Sequence, residues 1–333
     1  LERDKIEDDY EKTMAKIADF EDILANEPRI FEIIKEDLIK MKTKYGDERR
    51  TEIVMATNEI DMEDLIDEED VVITLTNKGY TKRLPVAAYK SQHRGGRGVS
   101  GMTTREEDFV ERMFTTSTHN HILFFTTRGV VYKLKGYQIP EAGRQAKGTA
   151  IVNLLPLESD EKITAVLPIK EFTDDCYIVF VTRKGIVKKT DLMDYSRIRA
   201  VGLRAIGLDD DDELIFVGVT DSTKDIVIAT HSGMAIRFDE NDVRDTGRIS
   251  RGVRGIRLRE GDYAIGAVIA DSDTKLLLVS ESGYGKKTDA GEFTVQRRGG
   301  MGLRCYRITE KTGSLAGIIS ISDEDDILII TSD

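Results

Sequence analysis

Repeated cations are the residues in this 333-residue chain whose types and spacing suggest chemistry. Gly79, Gly129, Gly185, Gly233 and Gly283 are each followed, four residues on, by Arg83, Lys133, Lys189, Arg237 and Lys287. Lys82, Lys188 and Lys286 stand beside three of these. A second glycine comes 17 to 19 residues after the first, at Gly98, Gly148, Gly202, Gly252 and Gly302. Four residues before it lie Arg94, Arg144, Arg248 and Arg298; the third unit has Ile198 there, flanked by Arg197 and Arg199. Arg97, Lys147 and Arg251 directly precede it. One such cation reads as a solvated strand end. Five registered copies point to a positive rim that follows the phosphates of a polyanion.

The densest instance is Gln92-His93-Arg94-Gly95-Gly96-Arg97-Gly98. Glycines let the backbone approach a phosphate, and each arginine can grip one bidentately. Gln296-Arg297-Arg298-Gly299-Gly300-Met301-Gly302 repeats it with Met301 in a cation's place. Bond-making sets are missing from the sequence. His93, His119, His121 and His231 are scattered, and no G-x-x-x-x-G-K-[ST] or G-x-S-x-G motif occurs. No helix is on hand for a major groove, and aromatic platforms for single strands are sparse. The expected ligand is duplex DNA, held by backbone charge and bending with little base preference.

Overall charge argues the other way, since 61 acidic residues outnumber 49 basic ones for a net −12. Residues 1–70 hold 24 acidic and 11 basic side chains, whereas residues 71–150 hold 13 basic and 5 acidic ones. The acidic total therefore conceals a basic block. Two cysteines, Cys176 and Cys305, cannot build a disulfide framework or a cysteine zinc site. No apolar run is long enough to span a membrane, and the charged opening Leu1-Glu2-Arg3-Asp4-Lys5 is no signal peptide. A soluble, cytoplasmic protein is expected.

The elements that carry the cations form a repeat. Apolar runs at Val71–Leu75, Ile122–Phe125, Tyr177–Val181, Ile226–Ala229 and Leu276–Val279 each lead to a turn glycine. A hydroxyl residue stands three before it: Thr76, Thr126, Thr182, Thr230 and Ser280. That is a two-strand hairpin with glycine supplying positive φ. With the strands that follow, each unit of about 50 residues holds about four strands, a blade of a propeller-like array. Ile327–Asp333 begins a sixth unit whose turn glycine would fall one residue past the end. Five full blades and a truncated sixth are expected over residues 71–333.

Upstream, Ile6, Tyr10, Ile17, Phe20 and Leu24 recur at helical spacing, as do Ile30, Ile34, Leu38, Met41 and Tyr45 beyond Pro28. Residues 1–50 are expected to form an α-helical hairpin closed by Gly46 as a left-handed cap. Residues 51–70 form an acidic linker. Its seven carboxylates from Asp61 to Asp70 lack the glycine and spacing of a calcium loop.

The sequence resembles the A-subunit family of bacterial DNA gyrase. Gln92–Gly98 looks like that family's Gln-Arg-Arg-Gly-Gly-Arg/Lys-Gly box, with His93 in place of an arginine. Glu69–Leu75, Thr118–Leu123, Val152–Leu157 and Gly252–Leu258 also look like it, and residues 20–53 resemble the end of its coiled coil. The resemblance implies a six-bladed, strand-swapped β-pinwheel, mainly β, preceded by a coiled-coil hairpin. It implies a component of an ATP-dependent type II topoisomerase that wraps duplex DNA so that the holoenzyme introduces negative supercoils. The partners implied are double-stranded DNA, the gyrase B subunit and a second copy of the gyrase A subunit in an A2B2 complex, associated with the chromosome. ATP and magnesium would be used by the B subunit, and the active-site tyrosine lies in a region upstream of the coiled coil. The DNA-binding residues expected are Gln92, His93, Arg94, Gly95, Gly96, Arg97, Gly98, Lys82, Arg83, Lys133, Arg144, Lys147, Lys188, Lys189, Arg237, Arg248, Arg251, Lys287 and Arg298. The rivals are the A-type subunit of topoisomerase IV and a propeller that serves only as a protein-interaction platform.

Overall fold

A computed structural model describes residues 2–47, 51, 62–88, 108–323 and 325. The chain divides into two compact units, residues 1–60 and 61–333.

The first unit holds helices α1 (Glu2–Ala25) and α2 (Glu27–Tyr45), broken at Asn26 with Pro28 in the first turn of α2. Arg29 ties the corner by ion pairs to Asp19 at 2.6 Å and Asp22 at 3.2 Å. Neither helix buries a residue, so the apolar stripes through Phe20 and Leu24 and through Ile34 and Leu38 are open. The two stripes therefore do not close into a packed hairpin core. Gly46 ends α2 in an extended conformation, φ −71°, rather than as a left-handed cap. Its N–H donates to the Lys42 carbonyl at 2.8 Å.

The second unit is built from five sheets, four of four strands and a fifth of three among the described residues. Each is centred on one predicted hairpin. In blade 1, strand Asp70–Thr76 pairs with Tyr80–Pro85; the other hairpins are His121–Thr126 with Val130–Lys135, Tyr177–Thr182 with Ile186–Asp191, Asp225–Thr230 with Met234–Asp239, and Lys275–Ser280 with Gly285–Asp289. The turns repeat atom for atom. In blade 4, the Gly233 N–H donates to the Thr230 carbonyl at 3.0 Å, and the Met234 N–H to Thr230 Oγ1 at 3.3 Å. The hydroxyl before each glycine thus accepts the N–H that the turn would leave bare. Gly233 has φ 75°, the conformation such a turn requires of its last residue.

A seven- or eight-residue strand lies on one side of each hairpin: Val110–Ser117, Ile163–Ile169, Leu214–Thr220, Ala264–Ala270 and Leu315–Ile321. The last four of these contact their neighbours from blade to blade and so face the centre of the array. In blades 1 to 4 the other side carries a two-residue strand taken from the next unit. Thr149–Ala150 leaves the blade 2 hairpin and pairs with blade 1, Leu203–Arg204 with blade 2, Val253–Arg254 with blade 3, and Leu303–Arg304 with blade 4. This is the strand swap that the resemblance implied. The start of a sixth unit, at residues 327–333, lies outside the described residues.

The core is divided into layers between blades. Val71, Ile73, Ile122 and Phe124 fill the layer between blades 1 and 2. Phe125, Phe180 and Tyr195 fill the next, with ring centroids 5.6 to 6.2 Å apart. Val179, Ile228 and Phe238 pack blade 3 on blade 4, and Val227, Leu276 and Leu278 pack blade 4 on blade 5. The first strand of each hairpin is buried on both faces, which is why these runs are continuously apolar rather than alternating.

Candidate nucleic-acid interface

The second hairpin strand and the swapped strand make the outer edge of blades 1 to 4. The segment between consecutive hairpins must cross that edge to deliver its swapped strand. It is pinned there by backbone bonds: the Ile151 N–H donates to the Gly79 carbonyl at 2.7 Å, Ala205 to Gly129 at 2.8 Å, Gly255 to Gly185 at 2.8 Å and Cys305 to Gly233 at 2.9 Å. Among the described residues, the second glycine of units 2 to 5 opens the swapped strand with positive φ, 77° at Gly148, 81° at Gly202, 88° at Gly252 and 71° at Gly302. The two registered glycines are thus the two ends of one junction between neighbouring units.

Most of the strand cations, which spacing alone placed on an open rim, are turned into the protein. Lys82, Lys188, Lys189 and Arg237 are buried. Lys82 Nζ donates to the carbonyls of Gly143, Arg144 and Ala146, at 3.0, 2.7 and 3.0 Å. Lys188 Nζ donates to Ala205 and Arg248 carbonyls at 2.6 and 2.5 Å. Lys189 faces the buried Glu240 carboxylate at 3.6 Å and donates to Ser222 Oγ at 3.0 Å. Arg237 pairs with Asp225 at 2.6 Å and donates to the Ala290 carbonyl at 2.8 Å. Two more are half-buried and engaged. Arg83 donates to the Ile139 carbonyl at 2.9 Å and pairs with Glu141 at 3.3 Å, and Lys133 donates to the Ser196 carbonyl at 2.6 Å. Burial lowers the pKa of Lys82, of Lys133 and of Lys188, the last to about 7. The donors of these six cations are thus engaged by the protein itself. Lys287 of blade 5 is exposed and pairs with Asp323.

The outer segments carry the accessible charge. Arg144 and Lys147 are exposed, and neither side chain has an ion pair or hydrogen bond among the described residues. Arg251 is exposed and pairs with Asp209 at 2.6 Å. Arg248 and Arg298 are half-buried: Arg248 donates to the Asp194 carbonyl at 2.9 Å, and Arg298 to those of Asp242 and Arg254 at 3.0 Å. Arg197 and Arg199, beside the third unit's Ile198, are also exposed. Gln92, His93, Arg94, Gly95, Gly96, Arg97 and Gly98 lie outside the described residues.

One registered set escaped the sequence reading. Arg204, Arg254 and Arg304 are exposed on the swapped strands of blades 2, 3 and 4. Each sits opposite the first residue after a turn glycine: Val130, Ile186 and Met234. The signal was present, since each is the second residue after the second glycine. Without the strand swap, nothing marked that position as an outer edge. Together with Arg144, Lys147, Arg197 and Arg199, these arginines line successive outer edges with guanidinium and ammonium groups. The chemistry of such a surface suits phosphate oxygens rather than base edges. Among the described residues no cluster of His, Cys, Asp or Glu could hold a metal ion.

Comparison with known proteins places the chain among relatives. The family described as "DNA gyrase C-terminal domain, beta-propeller" matches residues 70–117, 120–170, 177–221, 224–271 and 274–322. The DNA gyrase A subunit of Clostridium acetobutylicum is 58% identical over 252 residues, covering 76% of this chain and 30% of the relative. Its counterpart from Halalkalibacterium halodurans is 51% identical over 252 residues, with the same two coverages of 76% and 30%. The chain thus spans less than a third of the length of the relatives it matches. Among solved structures, a DNA gyrase A C-terminal domain superposes with TM-score 0.63 and 29% identity, covering 77% of this chain and 84% of that one. The C-terminal domain of a DNA topoisomerase IV superposes with TM-score 0.66 and 30% identity, covering 78% of this chain and 79% of that one.

Proposed function

The chain belongs to the DNA gyrase C-terminal domain family, and from that premise we propose that residues 61–333 bend and wrap duplex DNA along the outer edges of the blades. The observation that carries this reading is the row of exposed cations on the swapped segments, with Arg204, Arg254 and Arg304 in one register. DNA carries one charge per ~1.7 Å of axis, so a curved row of cations neutralises one side of the duplex and favours bending toward the protein.

In the whole enzyme this unit would feed wrapped DNA to a cleavage gate, so that two A and two B subunits introduce negative supercoils. DNA cleavage would fall to other parts of the gyrase A polypeptide, and ATP and magnesium chemistry to the gyrase B polypeptide. The setting would be the cytoplasm, on the chromosome; no helix among the described residues is long and apolar enough to cross a membrane. The intact spacing of Gln92–Gly98 favours the gyrase reading over the topoisomerase IV one. Arg94→Ala combined with Arg97→Ala should reduce bending more than binding, since other cations remain.

Nicked circular plasmid sealed by ligase in the presence of the chain tests the proposal. A positive shift in linking number that scales with protein supports wrapping. Binding without any shift would leave DNA bending without chiral wrapping. Weak binding with a flat salt response would favour the interaction platform.

A further inference from the structure

We propose that Lys82 is a positioning residue for DNA: its buried ammonium holds the turn 143–147 so that Arg144 and Lys147 face the duplex. The inference rests on the DNA-wrapping reading above.

The lysine is the third residue after the blade 1 turn glycine, in the strand that the outer segment crosses. Its side chain is sealed from solvent, and its three donors meet three carbonyls, those of Gly143, Arg144 and Ala146, within 3.0 Å. No carboxylate lies within ion-pair distance of it among the described residues. A buried cation without a counter-ion is unfavourable unless all its hydrogens are bonded. Here the turn backbone supplies that bonding, so the charge is used to order the turn.

The turn has little else to hold it. Its own backbone makes one hydrogen bond, Ala146 N–H to the Gly143 carbonyl at 2.9 Å, and a Cβ on Gly143 would meet nothing within 4 Å. Drawing three carbonyls inward onto one ammonium leaves the side chains of Arg144 and Lys147 exposed. Lys188 repeats the arrangement in blade 3. Its Nζ donates to the Ala205 and Arg248 carbonyls and lies 5.3 Å from the Phe180 ring centre. Blade 4 has Ile236 at this place, and there Arg298 turns back onto the carbonyls of Asp242 and Arg254. In blade 3 the outer Arg248 also donates to a carbonyl, that of Asp194 at 2.9 Å, so of these three blades only blade 1 leaves its outer cations open.

A mutant cycle on the 333-residue chain, read by the salt dependence of binding to a short DNA duplex, tests this. Arg144→Ala with Lys147→Ala should lower the slope of log K against log salt by about 1.8, at ~0.9 per phosphate contact. Lys82→Met alone should lower it by more than half that amount. Added to the double variant, Lys82→Met should change the slope no further. Amide exchange over residues 143–148, measured without DNA, should quicken in Lys82→Met. Should that variant fail to fold, Lys82→Gln, which keeps a donor, replaces it in both measurements. A parent chain with no salt dependence would overturn the wrapping reading. A steep parent slope that Lys82→Met leaves unchanged, or lowers equally in the double variant, would overturn the role of Lys82 alone.

Discussion

A Cβ on Gly252 would stand 2.5 Å from the carbonyl oxygen of Val187, and the φ of Gly252 is 88°. The swapped strand of blade 3 starts here, so any side chain would push it off the edge that it completes. Gly252→Ala combines positive φ, ~1–2 kcal/mol for an L-residue, with a backbone clash. It should lower unfolding stability by at least about 2 kcal/mol in urea titrations. Gly247, five residues earlier, meets nothing within 4 Å. Gly247→Ala should remain within about 1 kcal/mol of the parent.

Much of this architecture was legible because the turns demand particular residues. A hydroxyl three before a glycine, repeated five times, located every hairpin, and among the described residues the second glycine stands just before each of the four swapped strands. The swap itself was not readable from spacing. Strands such as Val253–Arg254 are two residues long, too short for any period, and their partner lies in the preceding blade. The cations misled for a related reason. Lys82 and Lys188 look like solvated strand ends in the sequence, yet an outer segment from the next unit covers both. A lysine that binds carbonyls is indistinguishable in sequence from one that binds phosphate. The helices show the reverse case: their apolar period was clear, but the surface that would cover it is not in either helix.

Lys189 and Glu240 give a stability prediction. Glu240 is fully buried, accepts from Thr220 Oγ1 and the Lys224 N–H at 2.7 Å, and faces Lys189 Nζ at 3.6 Å. Breaking a buried pair from one side typically costs ~3–5 kcal/mol, because the other charge is stranded. Lys189→Ala and Glu240→Ala should each destabilise by about that amount in urea unfolding. The salt slope for DNA binding should not change in Lys189→Ala. A slope lower by about one would instead place Lys189 on the DNA path.

His121 sets an acid limit. Burial, then the nearby charges of Lys135 and Lys133, lowers its pKa from 6.5 to about 4, and its ring lies 5.3 Å from that of Phe172. Between those two pKa values the unfolded chain binds a proton that the folded one refuses. This contribution to stability is therefore complete above pH 6.5 and is lost as pH falls toward 4. Urea midpoints measured from pH 8 to pH 4 should show this fall, with a slope of up to one proton. His121→Gln should flatten it; an unchanged profile would assign the acid sensitivity to other groups.

The swapped-strand arginines carry the sharpest test of the interface. Arg204, Arg254 and Arg304 occupy one register on three successive blades, exposed and without an ion pair among the described residues. Removing them should scarcely alter folding, since exposed side chains without partners contribute about 0.5 kcal/mol or less. Each that contacts a phosphate should contribute ~0.9 to the salt slope. The triple alanine variant should then retain its urea midpoint and lose about 2.7 from the slope, with a smaller linking-number shift in sealed circles. A loss of about 0.9 would mean that the duplex crosses the register at one blade. A loss near 2.7 would mean that it runs along the outer edges of all three.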